Sequence, residues 1–380
     1  MNIVQVITKP QRRGAEIFAH ELSCWLDAHG ESSTVVALYE HLAGPKLTMR
    51  KQDVELAGNE SARREALLDP LLLARLVRSL RVAGADIVQA NGGRAVKYVA
   101  AARAFLQPRT LFVYRNIDQP SFWVRSRVAK TLLPLIVRAG FDAAIAVSKK
   151  TLCDVRTMYG FENSSIAIEN GVDFSRLRTS TSDCDWRARH ALPRSAPLLI
   201  FAGALNAQKR PDVAVELLAR LQHENVHLVM LGDGPWRTRV VAESKRRGCR
   251  DRLHLLGNVD DVGAAFAAGA VFVTTSDTEG IPAVVIEAQH CGLPVVGFDV
   301  GGMRECVADG ETGTLVGRGD VEGAARAVDD LLTDGALRLR QASAARSFSS
   351  RFSIEAVGPR YVEFYQACLA KKRPNDKRQN

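Results

Sequence analysis

The chain has 380 residues, is 46% hydrophobic and 24% charged, and carries a formal net charge of +9. That length favours two domains, and the composition excludes a disordered, collagenous or disulfide-dense protein. The longest weakly polar run, near Val262 to Val273, is too short to span a bilayer, and the opening "MNIVQVITKP" lacks the basic n-region of a signal peptide.

Seven cysteines form no CxxC pair and the eight histidines show no metal-ligand spacing. Reduced thiols, and hence a cytoplasmic setting, are the expectation. Residues 1–180 hold 25 Lys+Arg against 17 Asp+Glu, a net +8, whereas residues 181–380 net only +1. The basic half either meets an acidic partner (a phosphate, a lipid surface, a nucleic acid) or is a solvated basic surface.

In chain order, the first half reads as strands "NIVQVIT", "STVVALY", "DIVQA", "TLFVYRN", "AAIAVS" and "SIAIEN". Helical patterns separate them, such as "AEIFAHELSCWLDAHG" with Ile17, Phe18, Leu22, Trp25 and Leu26 on one face. The second half repeats the scheme with "APLLIFAG", "VHLVMLG", "LHLLG", "AVFVTTS", "PVVGFD" and "GTLVG". Strands apolar on both faces, alternating with helices, predict α/β architecture with two Rossmann-like, doubly wound parallel sheets. The expected domains are residues 1–175 and 197–350. Residues 176–196 read as a linker, 351–370 as a helix packing back on the N-terminal domain, and 371–380 as a tail. Ligands bind at the carboxyl ends of such strands, so the chemistry is expected in the loops there, facing a cleft between the domains.

Those loops carry the candidate residues. In "TKPQRRGAEIF", Gly14 opens a helix beside Arg12 and Arg13, a phosphate-ready start or an ordinary turn. "QPSFWVRSRVAKTLLPLIVRAG" mixes Phe122, Trp123 and Leu132–Leu133 with Arg125, Arg127, Lys130 and Arg138. That mixture suits either an anionic membrane surface or a core helix with a charged outer face. "DCD" at Asp183–Asp185 matches the DxD of metal-dependent sugar transferases but lies away from any strand end. In "FAGALNAQKRPDVAVELL", Gly203 permits a tight turn, and Lys209 and Arg210 precede a Pro-started helix. Two cations there suit a diphosphate, or form a solvent-facing pair. "LGDGPWRTRVV" lacks the third glycine of a dinucleotide fingerprint.

"TTSDTEGIPAVVIEAQHCG" sets Glu279 in a strand-to-helix loop and Glu287 within the apolar helix that follows. Both acids can accept hydrogen bonds from sugar or ribose hydroxyls, while Gly280 and Ile281 offer backbone N–H donors. A helix N-terminus favoured by its acids is the plainer account, although it explains poorly an acid inside "AVVIEA". In "DVGGMREC", Gly301 and Gly302 would let backbone approach a ligand closely. No GxxxxGK[ST], HExxH or GxSxG motif is present.

In this order the loops resemble the family 4 retaining glycosyltransferases of GT-B fold, over essentially the whole chain. "IAVSKKTLCDVRTMYGFENSSIAIENGVDFSRL" resembles the family's VS…NGVD segment and "FAGALNAQKRPD" its G-R-L…K-G loop. "EGIPAVVIE" resembles its E-x7-E motif, and "GLPVVGFDVGGMRECVADGETGTLV" the run that follows it. The resemblance implies a metal-independent transfer of a sugar from a nucleotide-diphosphate sugar to a hydroxyl of a glycan or lipid-linked acceptor, in surface polysaccharide or glycolipid synthesis. No cofactor beyond the donor is implied.

On this resemblance Glu279 steadies the oxocarbenium-like sugar, Glu287 takes the ribose hydroxyls and Lys209 neutralises the leaving diphosphate. Gly280, Ile281, Gly203, Arg210 and Val259 join the donor site, with Gly14 reaching the phosphates from the other domain. Arg13, Asn91 and Asn116 fall on the acceptor side. Three positions depart from the pattern: Ala204 replaces an arginine for which Arg210 is only a candidate substitute, Asn116 replaces a histidine, and Arg13-Gly14 replaces a double glycine. A nucleotide-sugar epimerase of related fold, or a catalytically weak sugar-nucleotide-binding protein, is the alternative. Nucleic acid is not an expected partner, since no aromatic–basic platform appears.

Overall fold

Runs of Val, Ile, Leu and Ala that bury both faces can only pair side by side and be covered by helices, and this constraint sets the architecture. The structure, a computed structural model, describes residues 1–41, 44–58, 68–117, 127–178 and 182–372, with backbone alone for 127–130. The chain divides into two units, residues 1–171 together with the chain from Ile354 onward, and Val172–Ser353.

In the first unit the strands are β1 (Asn2–Ile7), β2 (Ser32–Tyr39), β3 (Val54–Gly58), β4 (Ile87–Asn91), β5 (Leu111–Asn116), β6 (Ala143–Ala146) and β7 (Ser165–Ala167). They form one parallel sheet of order β3-β2-β1-β4-β5-β6-β7. Six of the seven are the strands expected from sequence. β3 escaped because only Leu56 of "VELAG" is buried, so this edge strand carries neither an apolar run nor a clear alternation.

The helix Ile354–Lys372 belongs to this unit. Trp25 Nε1 donates to Glu355 Oε2 at 2.7 Å, and Lys372 Nζ donates to the Thr110 carbonyl at 2.6 Å. Between them, Tyr361 and Tyr365 are buried and meet a polar row that the sheet turns to this helix. Tyr365 OH donates to Gln89 Oε1 at 2.7 Å, Gln89 Nε2 to Gln5 Oε1 at 2.9 Å, and Arg115 Nε to Tyr361 OH at 3.2 Å. Each side chain of this row thus has a partner. No helix among the described residues is long and apolar enough to cross a membrane.

The second unit holds β8 (Leu198–Ala202), β9 (His227–Leu231), β10 (Leu253–Gly257), β11 (Val271–Thr274), β12 (Val295–Phe298) and β13 (Gly313–Val316). They form a parallel sheet of order β10-β9-β8-β11-β12-β13. Residues 176–196, expected as a linker, are instead part of this unit. Ser182 caps a helix, Asp183–Arg189, whose Trp186 is 1% exposed, and Arg187 donates to the carbonyls of Pro193, Ala196 and Ala268 at 2.7–3.0 Å. A seven-residue helix anchored by one aromatic side chain has too little periodicity to announce itself. Trp186→Ala should therefore lose about 3–5 kcal/mol of stability in urea unfolding. A linker residue would lose at most about 0.5 kcal/mol.

Candidate functional site

From β8 the second unit's chain winds outward through β9 to β10, and from β11 it winds the other way through β12 to β13. β8 and β11 pair at the point of reversal, the place where open parallel sheets of this kind bind their ligands. Lys209, seven residues beyond β8, and Glu279, five beyond β11, meet at this point. Lys209 Nζ lies 2.6 Å from Glu279 Oε1, which also accepts from Ser276 Oγ at 2.6 Å. Glu279 is 5% exposed.

Both loops are tied down. Asn206 Oδ1 accepts from the backbone N–H groups of Gln208 and Lys209, at 3.1 and 3.0 Å. Asp277 N donates to Gln208 O at 2.8 Å, and Thr275 Oγ1 to Arg210 O at 2.8 Å. Arg210 holds a left-handed φ of +47°, a strained conformation for a side-chain-bearing residue. Its guanidinium lies 3.0 Å from Asp212 and 3.6 Å from Asp277. Arg210 therefore already neutralises two acids, and the phosphate substitution expected of it must compete with both.

The glycines expected to admit a ligand instead admit backbone. A Cβ on Gly301, whose φ is +57°, would overlap the Glu279 carbonyl, and one on Gly302 the Gly280 carbonyl. Gly302 N donates to the carbonyls of Glu279 and Gly280 at 3.2 and 3.0 Å. The turn after β12 thus underpins the Glu279 loop. Gly232 packs in the same way on Gly203, and Gly234 on Leu205. Gly203 N donates to Leu231 O at 2.9 Å, and the Lys209 side chain passes close by. Val259 follows β10, two residues beyond its end.

Gly280 and Ile281 lead into Pro282, the N-cap of the helix Ala283–His290. Glu287 lies just over one turn inside that helix and is 7% exposed. Its Oε1 accepts from Arg176 Nη2 at 2.6 Å, a partner the sequence reading did not single out. Only the charge rule, that a buried acid needs a cation, pointed to one. Burial pushes the Cys291 thiol up to about 11, with Glu287 adding to the rise, and burial raises Cys306 as well, so neither is primed as a nucleophile. The "DCD" acids serve their own helix: Asp183 accepts from Arg187 Nε at 2.6 Å and Asp185 from Ser182 Oγ at 2.6 Å.

The remaining candidates belong to the first unit. Arg13 is the N-cap of the helix Gly14–Ala28 without a capping side chain bond, and both Arg13 and Gly14 are exposed. A Cβ on Gly14 would meet nothing within 4 Å. Asn91, expected on the acceptor side, is 1% exposed. It donates to Gln5 Oε1 at 2.8 Å and accepts from Gln89 and Arg115, so its amide is spent on the buried polar row. Asn116 is also buried; its Oδ1 accepts from Tyr114 OH at 3.1 Å, while its Nδ2 has no hydrogen-bond partner among the described residues. In the basic aromatic stretch, Phe122, Trp123 and Arg125 lie outside the described residues, as do the side chains of Arg127 and Lys130. On the described part of the helix Arg127–Gly140, Leu132 and Leu135 are exposed beside Arg138.

Two family models match the chain: "Glycosyltransferase Family 4" over residues 12–176 and "Glycosyl transferases group 1" over residues 183–348. A D-inositol 3-phosphate glycosyltransferase of Xylanimonas cellulosilytica is 34% identical over 250 residues, covering 63% of this chain and 60% of that protein. The lipopolysaccharide core biosynthesis glycosyltransferase LpsE of Rhizobium meliloti is 33% identical over 178 residues, covering 47% of this chain and 52% of LpsE. The chain spans about half to three fifths of the length of these curated relatives. The crystal structure of Anabaena HepE with UDP and glucose superposes with a TM-score of 0.83 at 21% identity, over 96% of this chain and 99% of that one. At that identity the likeness is one of fold, and the fold is GT-B.

Gly301→Ala and Gly310→Ala both place alanine at positive φ, but only Gly301 abuts another backbone. Gly301→Ala should be the less stable by at least about 1 kcal/mol in urea unfolding. Equal losses would remove this contact as a support of the Glu279 loop.

Proposed function

Because the chain belongs to the family 4, group 1 type glycosyltransferases, we propose that it moves a sugar from a nucleoside-diphosphate donor to a hydroxyl acceptor, with retention at the anomeric carbon and without a metal ion. The observation that carries this reading is the contact of Lys209 with Glu279 where the second unit's strand order reverses. In the transfer, the bond from the anomeric carbon to the diphosphate breaks and its electron pair leaves on the diphosphate. Positive charge grows on the sugar beside Glu279, and negative charge grows on the diphosphate beside Lys209 and the N–H groups of Gly280 and Ile281. A carboxylate and an ammonium held in place beforehand favour both charges at once. Glu287 accepts from the ribose hydroxyls. Within the first unit, Asn116 offers a hydrogen bond to an acceptor.

The acceptor reading is coarser: a glycan or lipid-linked hydroxyl. Exposed Leu132 and Leu135 beside Arg138 fit docking on an anionic membrane surface, which favours the lipid-linked class. Sedimentation with anionic liposomes should bring the protein down at low salt and release it at high salt; no salt-sensitive binding sinks the membrane reading.

UDP, the nucleotide in the HepE complex, is the first probe. UDP should raise the melting temperature, and Lys209→Ala should slow UDP release from the accepted UDP-sugar about a hundred- to a thousandfold. Undiminished turnover in Lys209→Ala, or turnover without any acceptor, would point away from glycosyl transfer and, in the second case, towards epimerisation.

A further inference from the structure

Arg176 has no part in the reading above, yet the second unit goes to some length to hold it. It lies on a single 3-10 turn, Phe174–Leu177, which begins where Asp173 Oδ1 accepts from Ser175 N at 2.9 Å. At one end, the Phe174 ring stacks on His290 with centroids 3.8 Å apart and planes 2° from parallel. At the other, buried Leu177 sets its carbonyl against Gly263, where any Cβ would overlap it. The turn is thereby fixed to two helices, Ala283–His290 and Val262–Ala267. Arg176 extends from it to Glu287, 111 residues away in sequence, at 2.6 Å.

We infer that Arg176 is a positioning residue: it holds the Glu287 carboxylate in the one rotamer that accepts the donor's ribose hydroxyls. This rests on the sugar-nucleotide reading of the same site. A guanidinium only donates, so it engages Glu287 Oε1 and leaves Oε2, which has no hydrogen-bond partner among the described residues, as the acceptor for a ligand hydroxyl. Without Arg176 the carboxylate is free to change rotamer, and the energetic difference between a ribose and a deoxyribose shrinks. Charge alone restores part of the effect, so lysine is the informative conservative replacement.

The experiment measures binding of UDP, 2′-deoxy-UDP and 3′-deoxy-UDP to the full chain and to Arg176→Gln and Arg176→Lys, with melting curves as the folding check. The wild type should favour UDP about tenfold over the deoxy form that lacks the hydroxyl Glu287 accepts, the ratio expected for one hydrogen bond to a charged group. Arg176→Gln should cut that ratio to about twofold or less while binding the deoxy form as before, and Arg176→Lys should keep most of it. In turnover, Arg176→Gln should raise KM for the donor with kcat little changed. Retention of the full preference by Arg176→Gln, or an equal weakening of all three ligands, overturns the inference and makes Arg176 a packing residue. Failure of the wild type to bind any of the three, and likewise ADP, GDP and dTDP, removes the sugar-nucleotide reading itself, and the inference falls with it.

Discussion

A carboxylate taken out of water without a counter-charge costs several kcal/mol, and the second unit takes two out within a single loop and helix. Glu279 and Glu287 are each more than nine-tenths buried. Each meets a cation drawn from a distant part of the chain, Lys209 from the loop after β8 and Arg176 from the turn that follows residue 171. The Lys209–Glu279 pair exists because the parallel sheet brings the carboxyl ends of β8 and β11 together. The crossover topology is therefore upstream of the chemistry. Pairs of this kind are poor devices for stability, because attraction largely offsets lost hydration. Their value lies in holding charge of both signs ready, in an environment of low dielectric where a ligand's own charges are felt strongly.

Readiness requires that the loops not relax, and the second unit achieves this by packing backbone on backbone. Gly301 and Gly302 sit on Glu279 and Gly280, and Gly232 and Gly234 sit on Gly203 and Leu205. A side chain at any of the four would separate loops that need to touch. The strained φ of Arg210 belongs to the same design: Thr275 holds the Arg210 carbonyl from the neighbouring loop, and Asp212 and Asp277 hold its guanidinium. A strained residue persists only where its surroundings over-determine it. The Lys209 loop meets that condition.

The sequence made the strands of both sheets legible because their apolar runs are long and two-sided, and β3 was lost because only Leu56 of it is buried. Glu279 and Glu287 stood out because acids beside or inside an apolar segment need an explanation, and Lys209 because it precedes a Pro-started helix after a strand. What one-dimensional reading cannot supply is the partner. Nothing in "GVDFSRL" marks Arg176 as the counter-ion of an acid 111 residues on, and nothing in "DVGG" says whether a glycine clears space for a ligand or for Glu279 itself. Residues 176–196 were misjudged for a related reason, since the helix that carries buried Trp186 packs on the helix Val262–Ala267, far from it in sequence.

The first unit shows how strand-end polarity divides between structure and ligand. Its central strands β1, β4 and β5 carry Gln5, Gln89, Asn91 and Arg115 inward, and all four are consumed by one another and by Tyr361 and Tyr365 of the last helix. That row explains why Asn91, at a strand end and of suitable chemistry, is unavailable. One residue further along β5 the side chain points to the opposite face, and there Asn116 keeps an amide N–H with no partner among the described residues while Tyr114 occupies its oxygen. An unsatisfied buried donor costs about 1–3 kcal/mol, a cost that an oxygen of a bound ligand would remove. An asparagine so arranged gives a hydrogen bond and takes no proton, so whatever deprotonates an acceptor hydroxyl has to be sought elsewhere, and the departing diphosphate is the strongest base the proposed reaction itself supplies.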